Sequence, residues 1–124
     1  MYVRLLIVDD HPAFRAVARV LLGSGGFTVV GEAADGLGAI DAVRALRPDV
    51  VLLDIALPDL DGFAVASRLA SEPAPPVVVL VSSRSRSDYG SLVDASPVAG
   101  FVGKSELSPA AVRALLGAGG PRCA

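Results

Sequence analysis

Apolar runs and amphipathic segments alternate five times along this chain, and that rhythm leaves few folds open. Val3 to Val8 is continuously apolar apart from Arg4, as in a strand buried on both faces. Asp10-His11-Pro12 opens a helix, with proline fixing φ in the first turn. Phe14, Val17, Ala18 and Leu21 mark its inner face, and Gly23 to Gly26 ends it. Phe27 to Gly31 is a second strand. Asp35-Gly36 starts a second helix carrying Ile40, Val43 and Leu46, stopped by Pro48. Asp49 to Leu53 is a third strand. Asp61, a good N-cap, opens a third helix with Phe63, Ala66, Leu69 and Ala70 inward. Val77 to Val81 is the most β-prone run. A polar tract, Ser82 to Ser91, follows it, and a short fourth helix is expected around Asp88 to Ala95. Val98 to Gly103 is a fifth strand, and Ser108-Pro109 opens a last helix with Val112, Leu115 and Leu116.

Repeated strand–helix units imply an α/β fold, a doubly wound (βα)5 parallel sheet with helices on both faces. The expected strand order is 2-1-3-4-5, the flavodoxin-like order, whose ligand site lies beyond the carboxyl ends of the strands. At 124 residues and 52% apolar, one domain accounts for the chain and disorder is excluded. The expected boundaries are a domain over 1–117 and a short flexible tail over 118–124, with no output domain. The longest stretch without a charge, Val20 to Gly31, falls short of the roughly 18 residues a membrane span needs. The first residues lack the layout of a signal peptide. The single cysteine, Cys123, offers no disulfide framework, so a cytoplasmic location is expected. A net charge of -2 argues against direct nucleic-acid binding.

The strand-end rule directs attention to a few side chains. Asp9 and Asp10 end strand one, Asp54 ends strand three, Ser82 and Ser83 end strand four, and Lys104 follows strand five. Lys104 is the only lysine among ten arginines. Three carboxylates within about 5 Å repel by a few kcal/mol per pair at an effective dielectric near 20. A divalent cation removes that cost, and hard oxygen ligands suit octahedral Mg2+. Such a site beside an aspartate, a lysine and a hydroxyl is equipped for phosphoryl transfer, where positioning and charge neutralisation supply most of the catalysis. Asp54 is the candidate nucleophile, forming an acyl phosphate. Lys104 and a hydroxyl would hold phosphoryl oxygens.

Val8-Asp9-Asp10-His11-Pro12, Leu53-Asp54 followed by Pro58 and Gly62, and Gly100-Phe101-Val102-Gly103-Lys104 together resemble the receiver domain of bacterial two-component response regulators. The resemblance covers essentially the whole chain. Asp-Asp-His-Pro and Lys104-Ser105 are most similar to receivers that precede helix-turn-helix output domains. The resemblance implies that Asp54 accepts a phosphoryl group from a histidine kinase or phosphotransfer protein. It also implies that Asp9, Asp10, Asp54 and the Ala56 carbonyl hold Mg2+, that Lys104 contacts the phosphoryl group, and that Phe101 is a switch aromatic. The expected output is an unknown downstream protein partner, with homodimerisation left open. Such a chain catalyses its own phosphotransfer and autodephosphorylation and has no separate enzymatic activity.

The family's strand-four hydroxyl falls on Val81 when counted from Pro76 and on Ser82 when counted from Asp54; the reading adopted is Ser82. Adjacent strand residues face opposite ways, so the two registers differ in consequence. Ser105 stands where a proline commonly follows the lysine. Ala56, two residues after Asp54, has no polar group to orient a hydrolytic water, so a phosphoryl lifetime of minutes or longer is expected. His11 reads as a first-turn surface residue, and Tyr89 as a partly exposed residue of the fourth segment. Gly23-Ser-Gly-Gly26 follows a helix, which fails the context a phosphate loop requires. The principal alternative is a receiver-like interaction module that acts independently of phosphorylation. A flavodoxin-like cofactor binder lacks the phosphate-loop chemistry. A haloacid-dehalogenase-like phosphatase would place its nucleophile on the first strand, with a second aspartate two residues on.

Overall fold

Val3–Val8 forms β1, and its side chains alternate between two cores, which explains why the run is apolar apart from Arg4. The computed structural model describes residues 3–119. After β1 come α1 (Pro12–Gly23), β2 (Phe27–Ala33), α2 (Gly36–Leu46), β3 (Val50–Asp54), α3 (Gly62–Ala70) and β4 (Val77–Ser82). A 3-10 segment, Arg86–Leu92, leads to β5 (Gly100–Gly103), a 3-10 turn at Lys104–Glu106, and α4 (Pro109–Gly119). All strand pairs are parallel, in the order β2-β1-β3-β4-β5.

Alternation sorts the strand residues into layers. Leu6, Val8, Val51, Leu53, Val78 and Leu80 face α2 and α3, packing on Ile40, Val43, Val65 and Leu69. Leu5, Ile7, Val50, Leu52, Val79 and Val81 face the other way, onto Ala18 and Leu22 of α1 and Val112 of α4. Each such Val, Leu or Ile taken from water contributes about 1.5–3 kcal/mol, which anchors every strand and so fixes where the strand ends lie.

The helix starts are chemically local. Asp35 accepts from Gly38 N at 2.7 Å, Asp61 from Ala64 N at 2.8 Å, and Ser108 from Ala111 N at 3.0 Å. Pro12 takes the first position of α1. A second cap on α2 comes from far along the chain: Asp59 accepts from Gly36 N at 2.7 Å and Leu37 N at 3.0 Å. Those bonds hold its carboxyl below the usual carboxylate range and tie the β3–α3 loop to the start of α2.

The fourth crossover departs from expectation. The helix expected over Asp88 to Ala95 is replaced by 3-10 turns over Arg86–Leu92, broken at Gly90 (φ 58, ψ −132). Ser85 and Asp88 form a reciprocal capping box at its start. No buried apolar stripe holds this segment, since none of its residues is fully buried, so local capping and the glycine decide its shape. β5 is also shorter than expected, starting at Gly100 rather than Val98. The expected tail over 118–124, with Cys123, lies mostly outside the described residues. The Lys104–Ser105 bond is trans, as is every other peptide bond among the described residues.

Gly62 sits against the end of β3. A β-carbon there would lie 2.7 Å from both the Asp54 carbonyl oxygen and the Ile55 α-carbon. Its N–H also donates to the Ile55 carbonyl at 2.7 Å. Both obstructing atoms are backbone, so neither can swing aside. Gly62→Ala is expected to cost about 1–3 kcal/mol in urea unfolding, and amide shifts should concentrate at Asp54 and Ile55.

Candidate functional site

The carboxyl ends of β1 and β3 are adjacent because these strands pair directly, Val8 opposite Leu53. That register carries Asp9 and Asp54 to one rim. Asp10 follows Asp9, and Lys104 reaches in from the residue after β5. One donor atom from each of Asp9, Asp10, His11 and Asp54 lies within 4.8 Å of the others. The four expected side chains Asp9, Asp10, Asp54 and Lys104 are therefore brought together from across the sequence.

Lys104 Nζ lies 2.6 Å from Asp9 Oδ2 and 3.5 Å from Asp54 Oδ2. Phe14 of α1 lies beneath the ammonium, its ring centroid 4.6 Å away, a favourable cation–π geometry. Asp9 is fully buried and Asp54 only 2% exposed. Burial pushes the Asp54 carboxyl up, the neighbouring Asp9 charge pushes it further, and Lys104 and Ala56 N only partly offset this; its pKa is raised to about 6. Burial also works to raise Asp9, but the Lys104 ammonium and the bonds from His11 outweigh it and hold that carboxyl below its ordinary value. The site thus splits two neighbouring carboxylates, one firmly ionised and one reluctant.

The donor set fits a hard divalent cation. It offers three carboxylates, and Asp10 Oδ1 is buried with no hydrogen-bond partner. His11, read from sequence as a plain surface residue, is exposed. Yet its Nδ1 lies 2.9 Å from Asp9 Oδ1 and 3.1 Å from Asp10 Oδ1, and its N–H donates to Asp9 Oδ1 at 2.8 Å. Ala56 is exposed, and its N–H donates to Asp54 Oδ1 at 3.3 Å.

At the end of β4, Val81 pairs laterally with Asp54 and buries its side chain between the sheet and α1 and α4. Ser82, 3% exposed, faces the opposite layer. Its Oγ accepts from Arg84 N at 3.0 Å and lies 2.5 Å from the Tyr89 hydroxyl. Ser83 is exposed. Phe101 is half-buried, its ring centroid 6.1 Å from that of Tyr89. Sequence reasoning missed Tyr89 and Phe14 as neighbours of the site. The one available signal for Tyr89 was its position as the sole aromatic in a Ser-rich tract.

The family model for the response regulator receiver domain matches residues 5–115. BvgA of Bordetella pertussis, named as a positive transcription regulator of virulence factors, is 40% identical over 106 residues, covering 86% of this chain and 51% of its own length. The regulatory protein NarL of Mycobacterium tuberculosis is 39% identical over 115 residues, covering 92% of this chain and 53% of its own. The chain spans about half the length of these curated relatives. Among solved structures, the signal receiver domain of NarL from Mycobacterium tuberculosis superposes with a TM-score of 0.82 at 36% identity, covering 94% of this chain and 98% of that one. The response regulator domain of CheB from Thermotoga maritima gives 0.82 at 25% identity, covering 94% and 96%. No helix among the described residues is long and apolar enough to cross a membrane. The chain belongs to the response regulator receiver domains of two-component signalling.

Proposed function

We propose that this chain is a phosphoacceptor switch in which Asp54 takes a phosphoryl group from the phosphohistidine of a histidine kinase or phosphotransfer protein. The carrying observation is the buried Asp9–Lys104–Asp54 arrangement, with Asp10 completing the acidic rim. An Asp54 carboxylate oxygen attacks phosphorus, forming the P–O bond of an acyl phosphate. The P–N bond of the donor breaks, and its imidazole nitrogen leaves with the electron pair, losing its cationic character. Lys104 neutralises charge on one equatorial oxygen. Asp9, Asp10, Asp54 and the Ala56 carbonyl are the groups that would hold Mg2+, which when bound screens the carboxylates and polarises the phosphoryl group.

The phosphodonor protein is assigned to α1, which starts at the acid cluster and leaves Val17 and Val20 61% and 73% exposed. Modification then biases the ends of β4 and β5 and the segments that follow them, near Ser82, Phe101 and Lys104, between two arrangements read by a downstream protein.

Fluorine NMR of beryllofluoride, a phosphoryl mimic, tests this reading. A bound signal is expected only with Mg2+ present and only while Asp54 is intact. Absence of any bound signal would instead favour an interaction module independent of phosphorylation. The lifetime of the acyl phosphate is a second check. Ala56 offers no side-chain group to steer water toward phosphorus, so decay over minutes or longer is expected. Ala56→Asn should shorten that lifetime in a radiolabel chase, and decay of the parent within seconds would contradict the assignment.

A further inference from the structure

We propose that Phe14 is a positioning residue for Lys104, its ring face holding the ammonium beside Asp9 and Asp54 so that it meets a phosphoryl oxygen carried on Asp54. This rests on the phosphoacceptor reading above. Lys104 Nζ lies over the Phe14 ring, 4.6 Å from its centroid, and the lysine side chain is only 15% exposed. An ammonium so far withdrawn from water is drawn to the negative face of an aromatic ring. The same nitrogen lies 2.6 Å from Asp9 Oδ2 and 3.5 Å from Asp54 Oδ2. Three partners thus share one cation, two of them charged and one neutral. A neutral partner suits this rim. A further carboxylate at position 14 would add to the repulsion among Asp9, Asp10 and Asp54 and compete for a divalent cation. The ring attracts the ammonium with no charge and no metal-ligating oxygen. Its attraction reaches to about 6 Å from the centroid, so the nitrogen can swing from Asp9 toward a phosphoryl oxygen and stay over the ring.

The fold fixes the ring. Phe14 stands one and two turns before Ala18 and Leu22 on α1, and all three pack into the core between this helix and the sheet. Ala18 and Leu22 are fully buried there, and Pro12 sets the first turn of the helix. Phe14 itself is half-buried, so packing holds the ring in place while the longer lysine side chain moves.

Lys104 is the only lysine of the chain, so carbon-13 lysine labelling reports this site alone. Its ε-methylene protons are expected upfield of an ordinary lysine in the parent, through the ring current of Phe14, and at the ordinary position in Phe14→Leu. Beryllofluoride affinity, read from the Asp54 and Ile55 amide shifts with Mg2+ in the full chain, is expected to fall about fivefold in Phe14→Leu. Monofluoro- and trifluorophenylalanine in place of Phe14 keep the ring's shape but draw charge from its face, so affinity should fall in steps toward the Phe14→Leu value. A loss in Phe14→Leu with no change across the fluorinated rings would assign the effect to packing and overturn the proposal. So would unchanged affinity in Phe14→Leu, or an ε-methylene signal at its ordinary position in the parent. Failure of the parent chain to bind beryllofluoride while the ring-current shift is present would instead remove the phosphoacceptor reading, and the role assigned to Phe14 with it.

Discussion

Asp54→Asn is expected to abolish Mg2+-dependent beryllofluoride binding while making the protein more stable, by about 1–3 kcal/mol at neutral pH without divalent cation. The two effects share one cause. The folded chain raises the Asp54 pKa from its ordinary 3.8 to about 6. Between those values the folded state holds a proton that the unfolded state has released. Stability therefore falls as pH rises through that window, and the full cost is present above pH about 6. Asparagine carries no charge, so the gain should be complete at neutral pH and vanish below pH about 4, where the parent carboxyl is protonated in both states. Asp9 behaves oppositely. Its folded pKa is depressed, so it contributes stability above its ordinary value that is lost on acidification. Asp9→Asn should thus destabilise at neutral pH. Urea unfolding of the two variants across pH separates them by sign. A stabilised but inert Asp54→Asn would show that the buried carboxylate is kept for chemistry at the expense of stability.

Lys104→Met is expected to give the largest loss of stability of any single change at the rim, about 3–5 kcal/mol at neutral pH. The ammonium faces a fully buried Asp9 and a nearly buried Asp54. Methionine fills most of the same space and keeps a contact with Phe14, but leaves both carboxylates without it. The loss should shrink on acidification, as Asp54 and then Asp9 take up protons. It should also shrink when Asp54→Asn is added, since one of the two opposed charges is then removed. Equal unfolding midpoints for parent and Lys104→Met at neutral pH would show that the pair contributes nothing. Beryllofluoride affinity should fall in the same variant, because the ammonium neutralises one phosphoryl oxygen.

The fold was largely legible because its strands obey a simple rule. Each buried strand must serve two cores, so Val50-Val51-Leu52-Leu53 and Val77 to Val81 are uniformly apolar. The helix starts were legible at Asp61, Pro12 and Ser108-Pro109 because capping is local chemistry. The fourth crossover was not. Its Ser- and Gly-rich sequence has no apolar period, and its shape depends on the Ser85–Asp88 box and on Gly90. The Asp59 cap on α2 was illegible for a different reason, since donor and acceptor lie 23 residues apart.

At the site, the strand-end rule located Asp9, Asp10, Asp54 and Lys104, because topology alone carries them to one rim. It could not show that Phe14 lies under Lys104, or that the His11 ring turns back onto the acid pair. Nor could it show that Tyr89 reaches Ser82. These contacts depend on side-chain direction and packing across elements, which a one-dimensional pattern does not encode.

Labelling by acetyl phosphate, followed by hydride reduction and peptide mapping, tests the central claim most directly. Hydride converts an aspartyl phosphate to homoserine and marks the residue that carried it. Homoserine is expected at position 54 alone, formed with Mg2+ and lost in Asp54→Asn. Homoserine at another aspartate, or none at any position with Mg2+ present, would contradict it.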